Sequence, residues 1–480
     1  MLVAGVDSST QSTKVLLCQA EDGTVVGQSS APHPDGTECD PELWWQALGE
    51  AGRGLLDRAD AIGVAAQQHG MVVLDEGGQV IRPALLWNDM RSAPQAAALI
   101  AELGGPGEWA RRTGSVPTAS FTVTKLRWLA EHEPAAAERT AHVLLPHDWL
   151  TWRLGGGAGS RGGDGGRDLR GLGDGPVEAA TDRGDASGTG YFSPALSKWL
   201  PEISEAALGH AVGLPRLAAP AEIVGRTPGG AALSAGTGDN MGAALGLGVD
   251  LGEVVVSIGT SGTAYAVAAE PAADESGLVA GFADATGRFL PLVATVNAAR
   301  ILTVTARLLG TDPAGLSRLA LAAPAGAGGL TLLPYLDGER SPNRPDASGV
   351  LRGLTSTNTT PENLARAAVE ALLCSLADAI GNLADCGITA QRVILIGGAA
   401  RSEAVRRIAP AIFGVPVTVP PPAEYVALGA ARQAAWALSG AESPPRWPLP
   451  GSSAEYTAEP APLVRERYAA LRDATAGWDA

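Results

Sequence analysis

Two segments of this chain, roughly 250 residues apart, are written in the same way. LVAGV (2–6), the polar turn DSSTQST (7–13) and KVLLC (14–18) read as strand, hydroxyl-rich turn and strand. EVVVSI (253–258), GTSGT (259–263) and AYAVA (264–268) repeat that order. An echo at that distance points to two related halves and excludes a solenoid of short repeats. It also argues against a dinucleotide-binding fold, which opens on a strand, a helix and a parallel strand rather than on a hairpin.

The chain has 480 residues, and at about 100–200 residues per domain that predicts roughly two to four domains, two large ones among the options. We set them at 1–235 and 236–480. Hydrophobic residues at 45% and charged residues at 18% supply sizeable cores and exclude a disordered chain. Asp and Glu number 51 against 35 Lys and Arg, a formal charge of −16. So acidic a surface repels phosphate backbones and anionic headgroups, and neither nucleic acid nor a membrane is expected as partner. A bound phosphate would need local help from backbone N–H groups, a few cations or a metal. Cys18, Cys39, Cys374 and Cys386 form no CxxC pair, and their spacing suits neither a zinc site nor a disulfide framework. The chain shows no basic-then-apolar leader and no run of about 18 apolar residues. The expectation is a cytoplasmic protein with reduced thiols. Its assembly is left open, a homodimer included.

Asp40 before Pro41 reads as the N-cap of a helix within 40–56. AIGVAA (61–66) and MVVL (71–74) read as strands around the polar insert QQHG (67–70). Helices are predicted over 92–103, 122–132, 403–413, 424–438 and 462–475. RVILI (392–396) reads as a buried strand running into the glycine turn 397–402. The stretch 155–175 holds 11 glycines and reads as a mobile surface loop.

Three strand-ending turns, 7–13, 259–263 and 397–402, are rich in Gly, Ser and Thr. Small residues let backbone N–H groups approach phosphate oxygens closely, and hydroxyls add donors. Together the turns describe a nucleotide's phosphates held from two domains. Asp7, directly after the first strand, suits a Mg²⁺ contact beside phosphate, or the capping of its own turn. Asp239 lies between glycines and a small-residue helix in SAGTGDNMGAALGLG (234–248). It could be a plain N-cap. With Asn240 sharing that task, its carboxylate could instead take the proton of an alcohol attacking a phosphoryl group. His69, Trp87, Asn88, Asp89 and Arg91 offer the paired hydrogen bonds and flat apolar surface that a sugar needs, although His69 taken alone reads equally well as a satisfied core histidine. Glu339 and Arg340 suit either an ion pair ordering their loop or a substrate contact.

The motifs GVDSSTQSTK (5–14), DPELWW (40–45), QQHG (67–70), PALLWNDMR (83–91), FTVTKLRWL (121–129), LLPHDWL (144–150), TDRGDASGT (181–189), GTGDN (236–240), SIGTSG (257–262), PYLDGERSP (334–342), LIGGAARS (395–402) and ALGAAR (427–432) occur in this order. The chain thereby resembles the FGGY carbohydrate kinases and, within them, the group acting on pentuloses. The resemblance implies an α/β fold of two actin/Hsp70-like (ribonuclease H-like) domains flanking a nucleotide- and sugar-binding cleft. It implies ATP and Mg²⁺, and a sugar and ATP as small-molecule partners. By similarity Asp239 would be the catalytic base and Asp7 the metal-side carboxylate. Thr10, Gly259 and Thr260 would meet phosphates, and Gly397, Gly398 and Ser402 adenosine. Gln68 and His69 would contact the sugar, with Asn88, Asp89 and Asn240 beside them. The implied reaction is phosphorylation of the terminal hydroxyl of D-xylulose, at O5, with domain closure excluding water. Two departures stand out. Gln68 replaces a common Met in the sugar dipeptide, which leaves other sugars and polyols (ribulose, fuculose, gluconate, glycerol) open as substrates. Ala399 replaces a third glycine, adding one methyl group to the adenosine turn. A non-catalytic nucleotide switch of the same fold is the remote alternative. It would need no alcohol-activating base.

Overall fold

A computed structural model describes residues 1–157 and 178–478. Residues 158–175 of the glycine-rich stretch lie outside the described residues. The chain divides into two compact units. The first comprises 1–248, 268–290 and 424–448, the second 249–267, 291–423 and 449–480. Residues 236–248, 268–290 and 424–448, which lie beyond a cut at 235/236, fall in the first of these compact units.

The first unit is built on strands β1 (Leu2–Ser8), β2 (Ser12–Gln19), β3 (Val25–Pro32), β4 (Ala61–Ala66), β5 (Ile223–Arg226), β6 (Ala232–Ser234) and β7 (Thr237–Gly238). Their order is β5-β6-β4-β1-β2-β3, with β7 also paired to β4. β1 and β2 form the antiparallel hairpin that the alternation predicts. β4 lies parallel to β1, and every residue of β4 is buried, as befits a strand covered on both faces. On one face Trp44, Leu48 and Trp149 join Val6, Val15 and Val64 in the core. They come from the helix Pro41–Ala51, capped by the Asp40 side chain at Glu42 N, and from the helix Pro146–Leu154.

On the same sheet lies the helix Tyr425–Ser439, close to the helix Asp239–Leu247. Their backbones touch at glycines. A Cβ on Gly429 would stand 1.8 Å from the Gly242 oxygen, and one on Gly246 2.0 Å from that of Tyr425. Any side chain there would push the Asp239 helix away, so glycine sets how closely that helix is seated.

In the second unit the order β10-β9-β8-β11-β12-β13 runs through β8 (Glu253–Ile258), β9 (Gly262–Ala266), β10 (Phe289–Thr295), β11 (Arg392–Ile396), β12 (Val417–Val419) and β13 (Ala454–Tyr456). β8 pairs antiparallel with β9 and parallel with β11. This is the connectivity of β1, β2 and β4, so the echo in the sequence is an echo in topology. The helix Pro361–Asp385 is long and apolar enough to cross a membrane, but most of it is buried among its neighbours, with Glu370 and Asp378 tied to arginines. It is the core helix of this unit.

Candidate active site

Parallel pairing assembles the first unit's site. Asp7 and Ser8 of β1 face Ala65 and Ala66 of β4, and Thr237 and Gly238 of β7 face the same two residues from the other side. Three strands therefore end side by side. At or just beyond these ends stand Asp7, the Gln67–His69 segment and Asp239. Carboxyl ends of parallel strands are where open α/β sheets bind ligands.

Asp239 opens its helix. Its Oδ1 accepts hydrogen bonds from Asn240 N and Asn240 Nδ2, both at 2.8 Å. No donor among the described residues reaches Oδ2. The residue is half-buried, yet protein crowds its carboxyl. Burial first, then the charges of Asp7 and Asp185, push it up to about 7. A carboxylate of that basicity is well matched to taking a proton near neutral pH.

Asp7 is buried. Ser9 Oγ donates to it, and Lys14 Nζ lies 3.9 Å away and 2.6 Å from Glu424. Burial pushes its carboxyl up to about 6 against the pull of Ser9 and Lys14. Thr10 Oγ1 donates to Gln67 at 3.3 Å and accepts from Trp87 Nε1 at 2.9 Å.

Gln68 is buried, and its Oε1 accepts from Asn240 Nδ2 at 3.1 Å. Its Nε2 is buried without a protein partner. Such an orphan donor costs about 1–3 kcal/mol unless a ligand or water meets it. His69 holds φ +67°, a left-handed conformation costing roughly 1–3 kcal/mol in a non-glycine residue. Its Nδ1 meets the Gly188 carbonyl at 2.6 Å, and its ring lies 4.8 Å from Phe121 and 5.8 Å from Phe282. Asn88 and Asp89 sit apart from these contacts. Asn88 Nδ2 donates to the Gly36 carbonyl at 3.2 Å. Asp89 accepts from Arg91 Nε at 2.8 Å; burial pushes its carboxyl up, but hydrogen bonds from Arg91 and Thr37 hold it below the usual range.

Behind Asp239 stands a buried charge cluster that the sequence reading did not single out. His147 Nδ1 meets Asp185 Oδ2 at 2.6 Å, and Nε2 lies 3.2 Å from Asp148 Oδ1. Burial opposes its charge, but those carboxylates push His147 up to about 9. Asp182 accepts from Thr237 Oγ1 at 2.8 Å, pinning β7. A Cβ on Gly238 would stand 2.8 Å from Gln68 Cγ and 3.2 Å from Asp185 Oδ1, so the residue before Asp239 is wedged between both. His147 and Asp185 fall inside two of the quoted motifs, the one signal that could have drawn attention to them.

In the second unit the two glycine turns meet. Ser257 pairs with Ile396, and a Cβ on Gly397 (φ +92°) would stand 2.6 Å from the Ile258 oxygen. Gly259 and Thr260 are exposed, with their carbonyls bonded to Ala299 N and Ala298 N. Nothing stands within 4 Å of a Cβ built on Gly398. Ser402 caps the helix Glu403–Phe413 at Val405 N. Glu339 accepts from Val296 N, Asn297 N and Arg340 N, so its carboxylate orders its own loop.

The fold and these strand-end turns define a family. Residues 2–248 match the N-terminal domain and 254–438 the C-terminal domain of the FGGY family of carbohydrate kinases. The chain belongs to that family, and its fold is the actin/Hsp70-like one. The xylulose kinase of Streptomyces coelicolor is 46% identical over 460 residues, covering 92% of this chain and 89% of that protein. The xylulose kinase of Escherichia coli is 35% identical over 433 residues, covering 85% and 84%. The crystal structure of xylulose kinase from Bifidobacterium adolescentis superposes with a TM-score of 0.89 at 44% identity, covering 98% and 99%.

Proposed function

We propose that this kinase transfers the γ-phosphoryl group of ATP to O5 of D-xylulose, giving D-xylulose 5-phosphate and ADP. The observation that carries the reading is Asp239, a basic carboxyl at the ends of three parallel strands with one oxygen uncommitted. Xylulose kinases at up to 46% identity along nearly the whole chain support the choice of sugar.

Asp239 takes the proton of the attacking hydroxyl as the new O–P bond forms and the bond to ADP breaks. Phosphoryl transfer asks a protein mainly for position and charge. Asn240 fixes Asp239 Oδ1, so Oδ2 is the accepting atom. Gln68 Nε2 donates to a sugar hydroxyl, and His69 with Phe121 lines its C–H face. Thr10, Gly259 and Thr260 serve the phosphates, and Gly397, Gly398 and Ser402 the adenosine. Asn88 and Asp89 support the sugar side.

Among the described residues no three His, Cys, Asp or Glu side chains gather as a metal cage. Mg²⁺ usually binds through one or two carboxylates plus substrate phosphates, and buried Asp7 fits that role. When bound, the ion would neutralise phosphate charge. Cys18, Cys39 and Cys374 are buried thiols, and a cytoplasmic setting is part of the reading. A coupled ADP-release assay over D-xylulose, D-ribulose, L-fuculose, gluconate and glycerol tests the reading. Preference for D-xylulose is expected, and no sugar-dependent ADP release would remove it.

A further inference from the structure

Lys125 has no part in the chemistry above, yet its side chain is wholly buried. It lies in the first turn of the helix Thr122–His132. Its Nζ donates to the His69 carbonyl at 3.0 Å and to the Ser120 carbonyl. A methionine would fill the same space without desolvating a charge, so fold stability alone does not call for lysine here. Burial pulls the amine down to about 7, while the charge of Asp89 pushes the other way.

What the amine touches is the backbone of the strained residue at the sugar site. Thr122 Oγ1 donates to the same His69 carbonyl at 3.2 Å. The same stretch grips the other sugar-side segment: Ser92 Oγ pairs with Thr124 Oγ1 at 3.0 Å and donates to the Ala119 carbonyl at 3.1 Å. One buried helix start thus holds both 67–70 and 86–92.

We propose that Lys125 is a positioning residue for sugar recognition: through the His69 carbonyl its amine fixes the left-handed turn from which Gln68 and His69 meet the sugar. The proposal rests on those two residues being sugar contacts.

The test is Lys125→Met in the full chain, its folding checked by circular dichroism. The sugar KM should rise about tenfold or more, with kcat and the ATP KM changing less than about threefold. Discrimination between D-xylulose and D-ribulose should narrow. An unchanged sugar KM with only a lower melting temperature would overturn the proposal. Should that variant not fold, Thr122→Val removes the second donor to the same carbonyl. It should raise the sugar KM roughly two- to fivefold, and no change there overturns the proposal equally. Failure of the underlying reading shows separately: His69→Ala and Gln68→Ala would then leave the sugar KM untouched.

Discussion

Asn240 Nδ2 bridges Asp239 Oδ1 at 2.8 Å and Gln68 Oε1 at 3.1 Å. One amide therefore fixes the base and the buried glutamine together, and it orients Gln68 so that Nε2 is the atom left over. Gln68→Leu should remove a donor to the sugar while leaving both Asn240 hydrogen bonds to Asp239 in place. The sugar KM should rise about 5- to 50-fold, with kcat nearly kept. Steady-state kinetics with D-xylulose at saturating ATP check this.

Asp7 and Asp239 should separate by ligand. Asp7→Ala should weaken Mg-ATP binding more than sugar binding, because the role proposed for its carboxylate is the metal-side one. Calorimetry with each ligand alone decides. Equal losses would refute the division.

Activity should titrate on its acid side. A base raised to about 7 by burial, Asp7 and Asp185 is protonated and idle below that pH. kcat/KM for the sugar should fall tenfold per unit below about pH 7. Asp185→Asn removes one of the charges that raises it and should move the limb to lower pH.

Stability should run the opposite way to activity. The folded Asp239 binds its proton up to about pH 7, whereas an unfolded Asp releases it near 4. The folded state thus holds more protons between those values, and stability falls as pH rises through them. Asp7 and Asp185, raised to about 6 by burial, act in the same direction. Asp239→Asn should therefore melt higher than the parent protein at pH 8. The two should coincide near pH 4, as melting curves at both values can show.

Regular elements of this fold were legible because their patterns are local. The hairpins 2–19 and 253–266 show as apolar runs around hydroxyl-rich turns, and Thr122–His132 and Glu403–Phe413 appear where the helical pattern placed them. β7 was not legible. Two residues, Thr237 and Gly238, carry no periodicity, and only pairing with β4 makes them a strand. The same pairing places Asp239 at the end of β4, across that strand from the end of β1. His147 and Asp185 stand 38 residues apart, and nothing in a lone sequence marks them as partners. Lys125 was hidden for a simpler reason: a lysine in an amphipathic helix reads as a solvated side chain.

The most direct measurement is turnover of Asp239→Ala with D-xylulose and Mg-ATP, alongside sugar affinity by calorimetry. Loss of the base should lower kcat by roughly 10²–10⁴-fold while sugar binding is largely kept. Turnover near that of the parent protein would contradict the assignment of Asp239 as the group that accepts the hydroxyl proton.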